Sequence, residues 1–138
     1  MKRTLFILCF SSALLTSCNE WWIDTCWESD GYRLIAIDTR SQMSLIFEGD
    51  GGSGLIGATI FAVGADAKHI VLKQHPASDL GASSFDRSIT NYFIVEKRSG
   101  SFKDREAGVR GPLTKAQFER LVSTLSLPEF SKTFDDLK

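Results

Sequence analysis

"ATIFAVGADAKHIVLKQH", residues 58–75, is the stretch whose reading decides the fold. Its two ends, residues 58–64 and 68–75, are apolar and rich in β-branched side chains, and only "ADA" separates them. A connection that short joins antiparallel neighbours, because a parallel pair needs a crossover of about a dozen residues. The stretch therefore predicts a β-hairpin, and the rest of the chain is read outward from it.

Towards the N-terminus, "MSLIFE" (43–48) alternates, with Met43, Leu45 and Phe47 on one face and Ser44, Ile46 and Glu48 on the other. Before it, "YRLIAID" (32–38) is apolar enough for a central strand, with "DTRSQ" as the turn between them. Towards the C-terminus, "ITNYFIVEK" (89–97) supplies a fifth strand, followed by "RSGSFKDREAGVRGP" (98–112), which reads as an exposed loop. Thr114 with Gln117 three residues on is a capping-box pattern. Phe118, Leu121, Val122 and Leu125 then form one helical stripe, and Pro128 stops the helix. The expectation is an α+β domain: an antiparallel sheet of about five strands with one C-terminal amphipathic helix packed on it.

The N-terminal residues carry a different signal. Lys2 and Arg3 precede "TLFILCFSSALL", an apolar run of about a dozen residues, too short for a membrane span of ~20. Leu15-Thr16-Ser17-Cys18 follows. This arrangement resembles the lipobox of bacterial lipoproteins. The resemblance implies cleavage between Ser17 and Cys18 and lipidation of the Cys18 thiol. The expected organisation is a signal peptide over 1–17, a lipidated tether over 18–30 and one globular domain over 31–138. By the sorting rule of that class, Asn19 in place of Asp implies the outer membrane, facing the periplasm, in a Gram-negative cell. A Gram-positive cell would carry the same anchor on its outer surface, and the sequence does not choose between the two.

Removing 17 of 138 residues leaves 121, enough for one domain with a core. The basic count falls from 16 to 14 against 17 acidic residues, a net charge of 14 − 17 = −3. With no basic stripe, the composition argues against nucleic acid as a partner. Cys9 leaves with the signal and Cys18 becomes a thioether, so Cys26 stands alone: a small semi-buried residue or the site of a bridge between chains. Trp21, Trp22 and Trp27 lie close to the anchor, where indoles rest at the membrane boundary or pack on the domain.

Catalytic and cofactor signals are weak. Gly49, Gly51 and Gly54 of "GDGGSG" satisfy G-x-G-x-x-G, but strand-like sequence follows where a dinucleotide site needs a helix. Asp50 lacks the spaced carboxylates of a calcium loop, and Ser53 lacks the last glycine of G-x-S-x-G. His69 and His75 share a strand face but lie about 20 Å apart, too far for one metal. Asp79 and Asp86 sit in polar loop sequence. No catalytic residue, cofactor or metal is assigned.

With the lipobox, the blocks "GYRLIAID", "FAVGADAKHIVLKQHP", "TNYFIVEK" and "GPLTKAQF" resemble those of small uncharacterised bacterial lipoproteins, a likeness over roughly residues 31–137. It implies a lipid-anchored envelope protein and no particular chemistry. The leading expectation is a non-catalytic protein-binding or accessory module, attached to the membrane through Cys18 and working with an envelope protein partner. The alternative is a periplasmic small-ligand binder or small hydrolase, its site gathering His69, Asp66 or His75.

Overall fold

The computed structural model describes residues 23–79 and 81–138. The expected signal peptide over 1–17, with its expected cleavage and lipidation residues Ser17 and Cys18, lies outside them. Among the described residues, nine strands form two antiparallel sheets, with two α-helices and a 3-10 turn at Arg40–Gln42. The first sheet takes β1 (Ile23–Ser29), β2 (Tyr32–Ile37), β3 (Ser44–Phe47) and β4 (Gly54–Ile56) in sequence order. The second contains β5 (Ile60–Ala65), β6 (His69–Gln74), β7 (Asn91–Glu96), β8 (Val109–Leu113) and β9 (Lys132–Thr133), ordered β8-β7-β6-β5-β9.

Two sheets stand where one was expected. The division falls at residues 57–59. β4 pairs back onto β3, and the chain then crosses to start β5 in the other sheet. Gln74 pins the crossing, its Nε2 donating to the carbonyls of Gly57 and Ala58 at 2.7 and 2.9 Å. The predicted 58–75 hairpin is β5–β6. The 23–29 stretch, expected as tether, is β1. Asp30 and Gly31 link it to β2, both at positive φ (50° and 84°), as a type I′ hairpin requires.

Tyr32, Leu34, Leu45 and Ile56 of the first sheet pack against Ile60, Val63, Ile70, Leu72, Phe93 and Val95 of the second. The second sheet is apolar on its other face too, where Val71, Tyr92 and Ile94 meet Phe118. That double burial is why "IVL" and "FIV" read as continuous apolar runs rather than alternating ones. Phe118 belongs to α2 (Lys115–Leu125), whose Thr114–Gln117 capping box forms as the spacing predicts. Leu121, Val122 and Leu125 pack beside it. The molecule is thus three layers: sheet, sheet, helix. The chain continues past α2, and β9 adds to the free edge of β5. Gly64 on β5 leaves room for this C-terminal return, since a Cβ there would overlap the Glu129 carbonyl.

The 98–112 stretch, expected as an open loop, contains α1 (Phe102–Glu106) and β8. Ser101 caps α1 and Asp104 completes the box, with Asp104 Oδ2 accepting from the Ser101 backbone at 2.7 Å.

Candidate functional site

The outer face of the first sheet follows from strand register. Tyr32, Leu34 and Ala36 of β2 point inward, so Arg33, Ile35 and Ile37 point outward. Ile23 stands opposite Ile37, Thr25 opposite Ile35, and Ile35 opposite Ser44. Arg33 sits between Glu28 and Ile46. The face is therefore graded. At the end where β1 begins it presents Ile23, 59% exposed, beside the half-buried Ile37, while Ile35 is buried. At the other end Arg33 forms ion pairs with Glu28 and Glu48 at 3.5 and 3.0 Å.

A groove of about 430 Å³ opens on this face between Ile35, Ile37, Ser44, Ile46 and Ala58. It shares Gly57 and Ala58 with a hollow of about 560 Å³ lined by Gln74, Pro76 and Asp79.

The candidate residues of the hydrolase alternative do not meet there. His69 opens β6 and His75 follows its end. His69 borders a separate hollow of about 210 Å³ with Glu96 and Arg110. Asp66 Oδ1 accepts the backbone N–H groups of Lys68 and His69, both at 2.7 Å, and closes the β5–β6 turn. His75 is 3% exposed and stacked on Phe61 with centroids 4.2 Å apart. Its Nδ1 lies 2.7 Å from the Ile89 carbonyl, so Nδ1 carries the proton and donates. Nε2 is buried with no hydrogen-bond partner among the described residues. Among those residues, no three His, Cys, Asp or Glu side chains come together as a metal-binding group.

The loop carboxylates build turns. Asp79 accepts from the hydroxyl and backbone of Ser83, and Asp86 from those of Ser88. These bonds hold both carboxyls below their usual 3.8, and the N–H groups of His69 and Lys68 do the same for Asp66. Protonation then favours the unfolded chain. The stabilisation is fully present above 3.8 and is lost as pH falls through the lower folded-state values. Urea midpoints followed from about pH 6 to about pH 2 should stay level at first and then fall. A midpoint that rose below about pH 4 would contradict these assignments.

Cys26 sits where the β1–β2 register slips between Thr25 and Trp27. Burial, then Asp24, pushes its thiol pKa up, although Arg40 Nη1 lies 3.3 Å from the sulfur. A thiol held in its protonated form is a poor nucleophile. Ser53 is an exposed turn residue of the Gly-rich loop.

The sequence reading missed the fate of Asp50. Its carboxylate lies 3.0 and 3.1 Å from Arg105 Nη1, on α1, and the two side chains are only 11% and 9% exposed. The guanidinium also stands 3.5 Å from the centre of the Phe47 ring. Beside it, Lys97 Nζ binds Asp30 Oδ2, Ser29 Oγ and the Asp66 carbonyl at 2.6, 2.9 and 2.6 Å. A hollow of about 300 Å³ lies here, but each cation on its wall has an acidic partner: Lys97 with Asp30, Arg98 with Glu96, Arg105 with Asp50. This is a structural clamp between the Gly-rich turn, the β1–β2 hairpin and α1. The capping-box spacing of Ser101 and Asp104 was the signal that could have placed α1.

Layering and site together define a small domain of two stacked antiparallel sheets, one outer face covered by a helix and the other grooved. Residues 29–138 match the family described as protein of unknown function (DUF3997), and the chain belongs to that family. No curated protein and no solved structure matches it.

Proposed function

We propose that this protein is a lipid-anchored bacterial envelope protein whose domain binds another envelope protein as a non-catalytic accessory module. The observation that carries the reading is the Leu15-Thr16-Ser17-Cys18 motif after its short apolar run, with β1 beginning only 23 − 18 = 5 residues later. Cleavage before Cys18 and acylation of its thiol and amino group would hold the domain at the membrane. Two or more chains are needed for that, since one chain gives only reversible binding. Asn19 points to the outer membrane in a Gram-negative cell. The groove over Ser44, Ile46 and Ala58 is the surface offered to a partner.

The test is Cys18→Ser in cells, followed by membrane fractionation and intact-mass measurement. The wild-type chain should begin at Cys18, carry acyl mass and sediment with membranes. The variant should be unprocessed or soluble and should lack that mass. An unchanged membrane fraction and mass for Cys18→Ser would end the lipoprotein reading.

The small-ligand alternative draws on a specific feature. The paired hollows of about 430 and 560 Å³ fall in the size range of ligand pockets. Crosslinking in cells decides between the two. One reproducible protein partner that depends on Cys18 favours the accessory module. Background only favours the ligand binder.

A further inference from the structure

The anchor reading fixes how far the domain can stray from the bilayer, and the graded face indicates which part of it points there. Five residues reach at most about 18 Å when fully extended. A domain of this length is about 35 Å across. The tether is therefore shorter than the body it holds, and the start of β1 stays close to the lipid headgroups however the connecting residues are arranged. At that point Ile23 is exposed beside Ile37, and Ile35 follows one row deeper. The Glu28–Arg33–Glu48 ion pairs lie at the opposite end of the same face.

We infer that the Ile23–Ile37 corner of the first sheet rests on the bilayer surface, with the ion-paired end of that face and α2 turned away from it. The inference rests on the lipid-anchor reading and adds the orientation of the domain. The occupant of the corner is the headgroup and upper acyl region of the bilayer. The charges near the corner are net acidic rather than basic, three carboxylates against one guanidinium. Asp24 and Asp38 flank it, and Arg40 lies 4.0 Å from Asp24 and 3.1 Å from Asp136. Apolar contact made local by the tether, and not attraction to anionic lipid, is what would hold it.

The test uses the mature lipidated protein, in which Cys26 is the one thiol left. On a Cys26→Ser background, Ile23→Cys and, separately, Glu119→Cys on exposed α2 are labelled with an environment-sensitive fluorophore. Each is reconstituted into phosphatidylcholine vesicles with and without spin-labelled lipid. The expected result is blue-shifted emission and severalfold stronger quenching at position 23 than at 119, unchanged by raised salt. Flotation with the vesicles is scored first. Protein that floats but shows equal, water-like emission at both positions overturns the orientation, keeps the anchor and leaves the corner to a protein partner. Protein that does not float removes the anchor and the orientation with it.

Discussion

Replacing Phe134 by alanine is expected to cost about 3–5 kcal/mol, the range for emptying a buried aromatic site. For a domain of this length that corresponds to a fall in Tm on the order of 10–20 °C. Phe134 is 5% exposed and Leu137 3%, and both belong to the core between the sheets. They arrive on the last residues of the chain, which cross the open side of the stack. β9 pairs with β5, and the Phe134 N–H donates to the Phe61 carbonyl at 2.7 Å. Ties to the first sheet run through the same residues. Lys132 Nζ donates to the Cys26 carbonyl at 2.7 Å, and Arg40 grips Asp136 at 3.1 and 3.2 Å while lying over the Phe134 ring. Ending the chain at Ser131 removes both core side chains, a loss of roughly 5–10 kcal/mol, comparable with the whole stability of an ordinary domain. The truncated chain should show no cooperative unfolding transition by circular dichroism. A transition within a few degrees of the parent's would show that the two sheets hold together without this closure.

What the sequence made legible, and what it hid, follows from the range of the interactions concerned. The β5–β6 hairpin and the α2 cap are written in neighbouring residues, and those local signals were read. The division into two sheets is not local. β3 and β5 both present apolar inner faces, and nothing in the spacing of "GSGLIGATIFAVG" says that residues 54–56 pair backward while residues 60–65 pair forward. The β1–β2 hairpin was a missed local signal. Asp30-Gly31 between "WES" and "YRL" is the two-residue turn that type I′ geometry favours, but its closeness to the lipobox-like Leu15–Cys18 stretch makes it read as part of an expected tether. The C-terminal return was hidden for another reason. Lys132–Thr133 form a strand only because the edge of β5 is free to receive them, and strand preference depends strongly on such surroundings.

The candidate site divides the same way. Register turns alternation into a face, so once β1, β2 and β3 are aligned, the isoleucine end and the ion-paired end separate without further information. The groove floor needs the crossing at 57–59, which Gln74 secures through carbonyls 16 and 17 residues away. The separation of His69 from His75 was readable from strand geometry alone. The stacking of His75 on Phe61 was not, because it depends on how the 76–90 loop folds back to offer the Ile89 carbonyl.

Asp50→Asn is expected to cost about 3–5 kcal/mol, because it leaves the buried Arg105 guanidinium without a counter-ion. Arg105→Met, which keeps an apolar stem over Phe47, should cost a similar amount by stranding the Asp50 carboxylate. The double variant is the decisive one. With both charges gone the desolvation cost of each disappears too, and the loss should fall well below the sum of the singles, by an interaction energy of up to about 3 kcal/mol. Urea midpoints for the four proteins supply the cycle, and additive losses would mean that the two residues act independently. The side chains are joined across 55 positions, so the pair fixes where the Gly-rich turn lies relative to α1. A pair that contributes little net stability, yet is costly to break on one side, acts by penalising every arrangement in which turn and helix are mismatched. If the coupling is large and the double variant is nearly as stable as the parent, specifying that one arrangement is what Asp50 and Arg105 do in this fold.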